Sequence, residues 1–561
     1  MNNPDSQSGN PPPKPLAERS PILRCCRWLA NPRHLGFLFG VALILATLVM
    51  LFYVEEKLRG RWAWSRYAKA RQAQGVLMDI RALPQPPVPP ARNFARAPAL
   101  KPLFDFVHEQ KNVDTNAFQA FSERLNGAYD QAKAIGLRSF PAEGVSWRKA
   151  ALPDPLLMLG ERSTPDLHAL ARIAKSPGGQ ALSTNNLPAT SGQAAAWILD
   201  LYQRTSGPLL DELQKEAQTR TQSSFEINLD VDEPWGILLP HLAPIKNLAT
   251  QSATRAAVRL YVKQVDAAFQ DARLALQLAD MLQENTFLIS WLVRVAIREI
   301  ALNPVWYGLA THQWNPAQLA ELQARLETGD FFQEAYASLN AERLLNDRGI
   351  EGFLRSNKTR NCDFFGPFEN EPAGDWMECL MAIYPKGWFY HERINYDRIY
   401  AQYILDPFPT NTTHVNLKAI AARMDGLDQE LQGSRFRKLF VEHKYFASAF
   451  IPAVARLVEK PARAMAASTM AAAACALERH RIEQGRYPAK WSELTPKYLK
   501  QIPLDIMSGE PLKYRLNEDG TFLLYSVGQD GIDNGGQVVV SKSGFVQQQQ
   551  GDWVWKYPAG K

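Results

Sequence analysis

One uninterrupted apolar run and two hydrophobic periodicities organise this chain. The run, from Leu35 to Val54, contains neither charge nor proline. A helix needs about 20 such residues to cross a hydrocarbon core of about 30 Å. Lipid offers no partner for backbone groups, so a lone spanning segment must be helical. From about Leu100 to Pro461 the dominant period is that of an α-helix. Val258, Tyr261, Val262, Val265, Phe269, Ala272 and Leu276 predict one apolar face of a single long helix. Phe287 to Leu302 predicts a second, in which Arg294 and Arg298 argue against a membrane span. Asn315-Pro316 reads as a cap followed by proline at the first helical position, and Leu319, Leu322 and Leu326 form a seam that Gly329 ends. Successive amphipathic helices must pack on each other. No fixed repeat persists, and the stretch 150–240, richer in Pro, Gly, Ser and Asn, reads as irregular.

After Pro461 the pattern changes. Met465 to Gln484 is an alanine-rich helix ended by Gly485, and Pro488 prevents its continuation. Leu512–Arg515 and Thr521–Val527 alternate at period two and are joined through Asn517-Glu518-Asp519-Gly520. That predicts a β-hairpin with glycine where φ must be positive. Val538–Val540 and Trp553–Trp555 are candidate further strands. The expected fold is therefore a mainly α body at 100–460, an α+β module at 461–561 with one helix on a small antiparallel sheet, and a transmembrane helix at 35–54. Residues 1–34 form a polar, basic tail that cannot bury a core. Residues 55–99 read as an interfacial collar containing Trp62, Trp64 and Tyr67, followed by the stiff spacer Pro84–Pro90.

Composition narrows the function classes. The 561 residues carry a net charge of only +6, with both signs interspersed, which excludes a nucleic-acid footprint. Five cysteines are too few for a disulfide scaffold. Cys475 reads as a small core residue, whereas Cys362 and Cys379 either pair or remain free thiols. The apolar run is longer than a cleaved signal and leads into Glu55, Glu56 and Lys57 rather than a cleavage site, so an uncleaved signal anchor is expected. Arg19, Arg24, Arg27 and Arg33 precede it; Lys57, Arg59, Arg61, Arg66, Lys69 and Arg71 follow it. Counted alone, these slightly favour a cytoplasmic body.

Three blocks near the C-terminus carry a resemblance. They are Ala476-Leu477-Glu478-Arg479-His480 running to Gly485-Arg486-Tyr487-Pro488, then Leu504-Asp505 with Gly509, then Tyr525-Ser526-Val527-Gly528-Gln529-Asp530-Gly531. Together they resemble the globular part of the major pseudopilin of type II secretion systems, in which a helix-GxYP-sheet unit ends in a calcium-binding loop. The resemblance covers residues 461–561 only. A pseudopilin's membrane helix runs directly into this domain; here it lies far upstream and lacks the processing motif, so cleavage and polymerisation are not implied. From the Trp62/Trp64 collar onward the whole chain is similar to single-pass bacterial membrane proteins that end in this module, a family with no assigned activity. Export of the pseudopilin unit implies a cytoplasmic N-terminus and a periplasmic body anchored in the inner membrane.

The loop Ser526–Gly536 is the leading site candidate. Asp530 and Asp533, with Asn534 beside them, place hard oxygens in a glycine-rich turn suited to Ca2+, which takes 6–8 oxygen ligands. By resemblance, Asp530 matches the first ligand aspartate and Val527 the carbonyl ligand. Asp533 and Asn534 match the later acidic pair loosely, because the loop is shorter and the second acid is an amide. The other reading is a β-turn in which Asp and Asn bond their own backbone. His391-Glu392-Arg393-Ile394-Asn395 misses the zinc-hydrolase helix, since position 395 is not histidine, and reads as the solvated start of a helix through Tyr396 and Tyr400. The remaining histidines, His108, His168, His241, His312, His414 and His443 among them, lack ligand spacing. Trp388-Phe389-Tyr390 reads as core. No P-loop, G-x-S-x-G or dinucleotide fingerprint is present. These features favour an envelope interaction or scaffold protein whose partners are the bilayer and other envelope proteins, with no nucleic acid. The alternatives are an envelope hydrolase with its site in the helical body, or an accessory of a secretion or pilus-like apparatus.

Overall fold

The computed structural model describes residues 32–134, 190–355 and 384–555, a few short loop stretches excepted. The N-terminal tail and the segment holding Cys362 and Cys379 lie outside the described residues, as do His108 and His168. Helices α1 (Pro32–Ala73) and α2 (Thr115–Ala134) flank a small hairpin, β1 (Phe106–Val107) and β2 (Lys111–Asn112). There follow α3 (Ser191–Arg204), α4 (Gly207–Thr219), α5 (Leu242–Tyr261), α6 (Val265–Asp280), α7 (Leu288–Ala310), α8 (Pro316–Leu326) and α9 (Phe331–Arg355). Next come α10 (Trp388–Tyr400), α11 (Leu417–Glu430), α12 (Tyr445–Ala455) and α13 (Glu459–Gln484). Strands β3 (Lys513–Leu516), β4 (Phe522–Ser526), β5 (Val538–Val540), β6 (Val546–Gly551) and β7 (Trp553–Trp555) close the chain. The protein is thus mostly helical, with a small antiparallel sheet near the C-terminus and one long apolar N-terminal helix.

The chain divides into two compact units, Met1–Ala70 with Phe353–Ile394, and Arg71–Gly352 with Asn395–Lys561. In the first, α1 has 42 residues and is therefore roughly 60 Å long. It is long and apolar enough to cross a membrane, and none of its apolar window is buried inside the protein. Phe39 is 71% exposed and Met50 68%. Helix α1 continues without a break past Val54, and beyond it buries Glu56 and Gly60. A Cβ on Gly60 would lie 2.2 Å from the Gly387 oxygen, and one on Gly387 2.2 Å from the Glu56 oxygen. Both glycines exist because two backbones meet there. Trp388 Nε1 donates to Glu56 Oε2 at 2.9 Å, and Arg393 lies 3.9 Å over the Trp64 ring. Phe389 is buried and stacks on Phe353, as the core reading of that aromatic stretch expects. The solvated reading of the following turn is overturned. Glu392 and Arg393 are buried, because the Tyr384 hydroxyl reaches Glu392 and the Trp64 ring takes the guanidinium.

In the second unit, α5 packs along α6 and α7. The single long helix expected through Val258 and Leu276 is in fact two, α5 and α6. The chain turns at Val262–Gln264, where Lys263 takes a φ of 65°. The apolar stripe survives the turn because both helices face core, so periodicity alone hid the break. The expected irregular stretch is also partly helical. Thr190 and Gln193 form a capping box that starts α3, and Ala194, Ala195, Ile198, Leu201 and Tyr202 are buried at helical spacing. The Asn315 cap is present, with Gln318 completing its box. Leu319, Leu322 and Leu326 are all buried.

Charged side chains inside this unit are used to tie helices together. Asp271 on α6 accepts from Arg255 Nη2 at 2.6 Å and Arg259 Nη1 at 2.7 Å, both on α5. Arg294 on α7 grips Glu334 on α9 through two bonds of 2.9 Å. Arg298 reaches Asp280 at 3.0 Å. Arg343 on α9 pairs with Asp397 on α10. The arginines that argued against a membrane span are therefore buried bolts between packed segments of this unit.

Helix α13 packs against α7 and α8 on one side and against β4 and β7 on another. Its alanines and the fully buried Cys475 permit close approach. The sheet runs β3-β4-β7, with Lys513 opposite Tyr525 and Leu516 opposite Phe522. Gly520 adopts the expected positive φ, 80°, and β5 pairs with β6.

Candidate functional site

The loop after β4 is built on hydrogen bonds from backbone to carboxylate. Val527 is buried, and its N–H donates to Asp505 Oδ2 at 2.9 Å. Asp505 also accepts from Ser526 Oγ at 2.7 Å and from the Met507 N–H. Asp530 accepts from the Ile532 N–H and, with its other oxygen, from the Gly551 N–H. Asp533 accepts from the Tyr525 hydroxyl and the Gly535 N–H, each at 3.0 Å, and faces Lys513 at 3.6 Å. The Asn534 amide donates to the Ile532 carbonyl. Gly528 sits at φ 68°, and a Cβ there would meet the Gly551 oxygen at 2.2 Å.

Asp552, which sequence reasoning missed, is the pivot of this loop. Its carboxylate accepts from the N–H groups of Asn534, Gly536 and Gln537. Burial pushes that carboxyl up, the three backbone donors pull it down, and the nearby charge of Asp533 raises it again. The signal available was Gly551-Asp552 following a glutamine-rich strand, which has no spacing to the loop it closes. Among the described residues no three His, Cys, Asp or Glu side chains converge as a metal site. Carboxylates already serving backbone N–H groups make a turn that closes itself. We expect the melting temperature of the full chain to be unmoved by chelator or calcium. A rise of several degrees with calcium, lost in Asp530→Ala, would favour the calcium reading over the plain turn.

The GxYP block has a different role, as a polar junction between α13 and the end of α7. Glu478 on α13 is buried. It accepts from Tyr487 Oη at 2.6 Å, from Arg481 at 2.7 and 2.9 Å, and from His312 Nδ1 at 2.9 Å. His312 follows α7 in the left-handed region, φ 53°. Burial alone would raise this carboxyl, but bonds from Arg481, His312 and Tyr487 outweigh it and hold it at about 2. Two further bonds tie α8 to the C-terminal module: Gln323 on α8 donates to the Tyr498 carbonyl and accepts from Arg479.

The sign of the pH effect follows. A carboxyl lowered from 4.5 to about 2 adds stability that is complete above about pH 4.5 and is lost as pH falls toward 2. Its full size is about 3 kcal/mol. Tyr487→Phe should remove one of the three groups that hold this charge, costing about 1.5–3 kcal/mol at neutral pH. The loss should shrink in acid, as read by urea unfolding at several pH values. An equal loss at pH 2 and pH 7 would contradict the junction.

A third polar cluster lies between α9 and α10. Glu342 is held by the Asn346 amide at 3.2 Å, and Trp235 Nε1 donates to Asn346 Oδ1 at 2.9 Å. Burial pushes the Glu342 carboxyl up. Tyr400 donates to the Leu339 carbonyl, while Asp397 is taken up by Arg343 and by Arg71 at 3.2 Å. Glu342 is thus engaged by an amide and Asp397 by two guanidiniums. The histidines are dispersed. His241 stacks on Phe225 at 4.4 Å and is held neutral, at about 4, by burial; His312 serves Glu478; His443 ends a helical turn at φ 52°. Asn395, where the near-miss motif lacks its second histidine, donates to the carbonyls of Glu442 and His443. With the geometry in hand, comparison with known proteins adds nothing: no family, no curated protein and no solved structure matches this chain.

Proposed function

We propose that this chain is a membrane-anchored scaffold of the bacterial envelope, crossing the inner membrane once with its N-terminus in the cytoplasm and its body in the periplasm. The observation that carries the reading is α1. Its apolar window is long enough to span a bilayer and none of it is buried inside the protein, so lipid is the environment that suits it. The body supports a structural role. Three of its buried ion pairs join helices, and the GxYP block joins the C-terminal strands' helix to the helical body. The periplasmic placement draws on the resemblance of residues 461–561 to the pseudopilin unit. Other envelope proteins are the partners such a body would hold.

Protease added to spheroplasts tests the orientation. A C-terminal epitope should be digested while an N-terminal one survives. Protection of the C-terminal epitope until the membrane is broken would place the body in the cytoplasm.

A further inference from the structure

Where α1 leaves its apolar window, its two faces differ. One carries Glu56, Gly60 and Trp64, which meet Gly387, Trp388 and Arg393. The other carries Lys57, Leu58, Arg59, Arg61, Trp62, Arg66 and Lys69, all exposed. Leu58 is 64% exposed and Trp62 63%. Arg66 lies 4.6 Å over the Trp62 ring, so a cation is held above an aromatic plate. Of the two acids at the start, Glu56 is withdrawn into the packed face and paired with Arg59 at 2.6 Å. Only Glu55 adds an exposed negative charge. The result is a helix face of apolar and cationic side chains continuous with the spanning segment.

A rise of 1.5 Å per residue places Lys57 about 5 Å beyond Val54, within the headgroup layer, and Arg61 about 10 Å beyond it, from where a long side chain reaches back to the phosphates. Arg66 and Lys69 follow at about 18–23 Å, beyond the headgroups, where their attraction to a charged surface is weakened by screening over about 8 Å. We propose that this face binds the headgroups of anionic phospholipids. Lys57 and Arg61 engage phosphates, Leu58 and Trp62 lie among the headgroups, and Arg66 extends the positive field. Trp62, not Trp64, is the interfacial aromatic, since Arg393 covers Trp64. The inference rests on the membrane reading of α1.

The test reconstitutes the full chain into nanodiscs of phosphatidylcholine with a minor share of phosphatidylglycerol. Lipids retained after gentle extraction are counted by native mass spectrometry. Phosphatidylglycerol should be enriched over its share in the bilayer. Lys57→Gln with Arg61→Gln and Arg66→Gln should abolish the enrichment, Lys57 and Arg61 each contributing up to roughly fivefold and Arg66 less. Lys500→Gln with Arg515→Gln, exposed positions of the C-terminal module, should leave it intact. Retained lipid matching the bulk ratio, or enrichment unaffected by the triple variant, overturns the proposal while leaving the anchor in place. Recovery of the chain free of nanodiscs overturns the anchor itself and the proposal with it.

Discussion

Replacing Asp271 by alanine should destabilise the body by about 3–5 kcal/mol, the usual result of removing one partner from a buried ion pair. Asp271 is fully buried and is the common acceptor for Arg255, Arg259 and Gln214. Arg255 is itself buried, and its remaining acidic partner is Asp211 at 2.9 Å. Without Asp271, two guanidiniums on α5 would repel in a medium that screens them poorly. Removing the charge at both ends should be far milder. Asp271→Leu with Arg255→Met and Arg259→Met exchanges the whole triad for apolar volume, which is often neutral or stabilising. Asp200→Ala, whose partner Arg204 is as exposed as Asp200 itself, should change stability by less than about 1 kcal/mol. Urea unfolding measures all three. An Asp271→Ala midpoint within error of the parent would remove the α5–α6 bolt from this account.

Much of this architecture was legible in the residues, and the failures have physical causes. The apolar run, the Asn315 cap, the seam at Leu319, Leu322 and Leu326, and the hairpin closed by Gly520 are local signals, fixed by neighbours within a few positions. The break at Lys263 was not legible, because two successive helices that both face core keep one stripe in step across a three-residue turn. Glu392 and Arg393 read as solvated because the groups that bury them, Tyr384 and Trp64, become neighbours only in the folded chain. Arg294 and Arg298 were recognised as charged but not as buried, since Glu334 and Asp280 reach them only across helix contacts. The same holds for the candidate loop. Asp530, Asp533 and Asn534 were visible as a cluster, whereas Asp552 and Asp505, which organise its backbone, lie elsewhere in the sequence.

The anchor carries the second large effect. Leu45 and Leu48 lie within the apolar run, and both are exposed. An arginine near the centre of a spanning helix costs about 2.5–3.5 kcal/mol on the insertion scale. Leu45→Arg with Leu48→Arg should therefore remove about 5–7 kcal/mol of the favourable insertion energy. Neither change should disturb the second unit, Arg71–Gly352 with Asn395–Lys561, whose core includes no residue of the run. The variant should fail to insert stably while the body retains its helical circular-dichroism spectrum. If the variant remained in the bilayer like the parent, the run would not be what holds this protein there.

Extraction of isolated membranes with alkaline carbonate, which strips proteins bound only at the surface, tests the central claim most directly. The account predicts that the unmodified full chain stays in the pellet and is released only by detergent. Release of the intact chain into the carbonate supernatant would contradict a spanning α1, and with it the anchored scaffold.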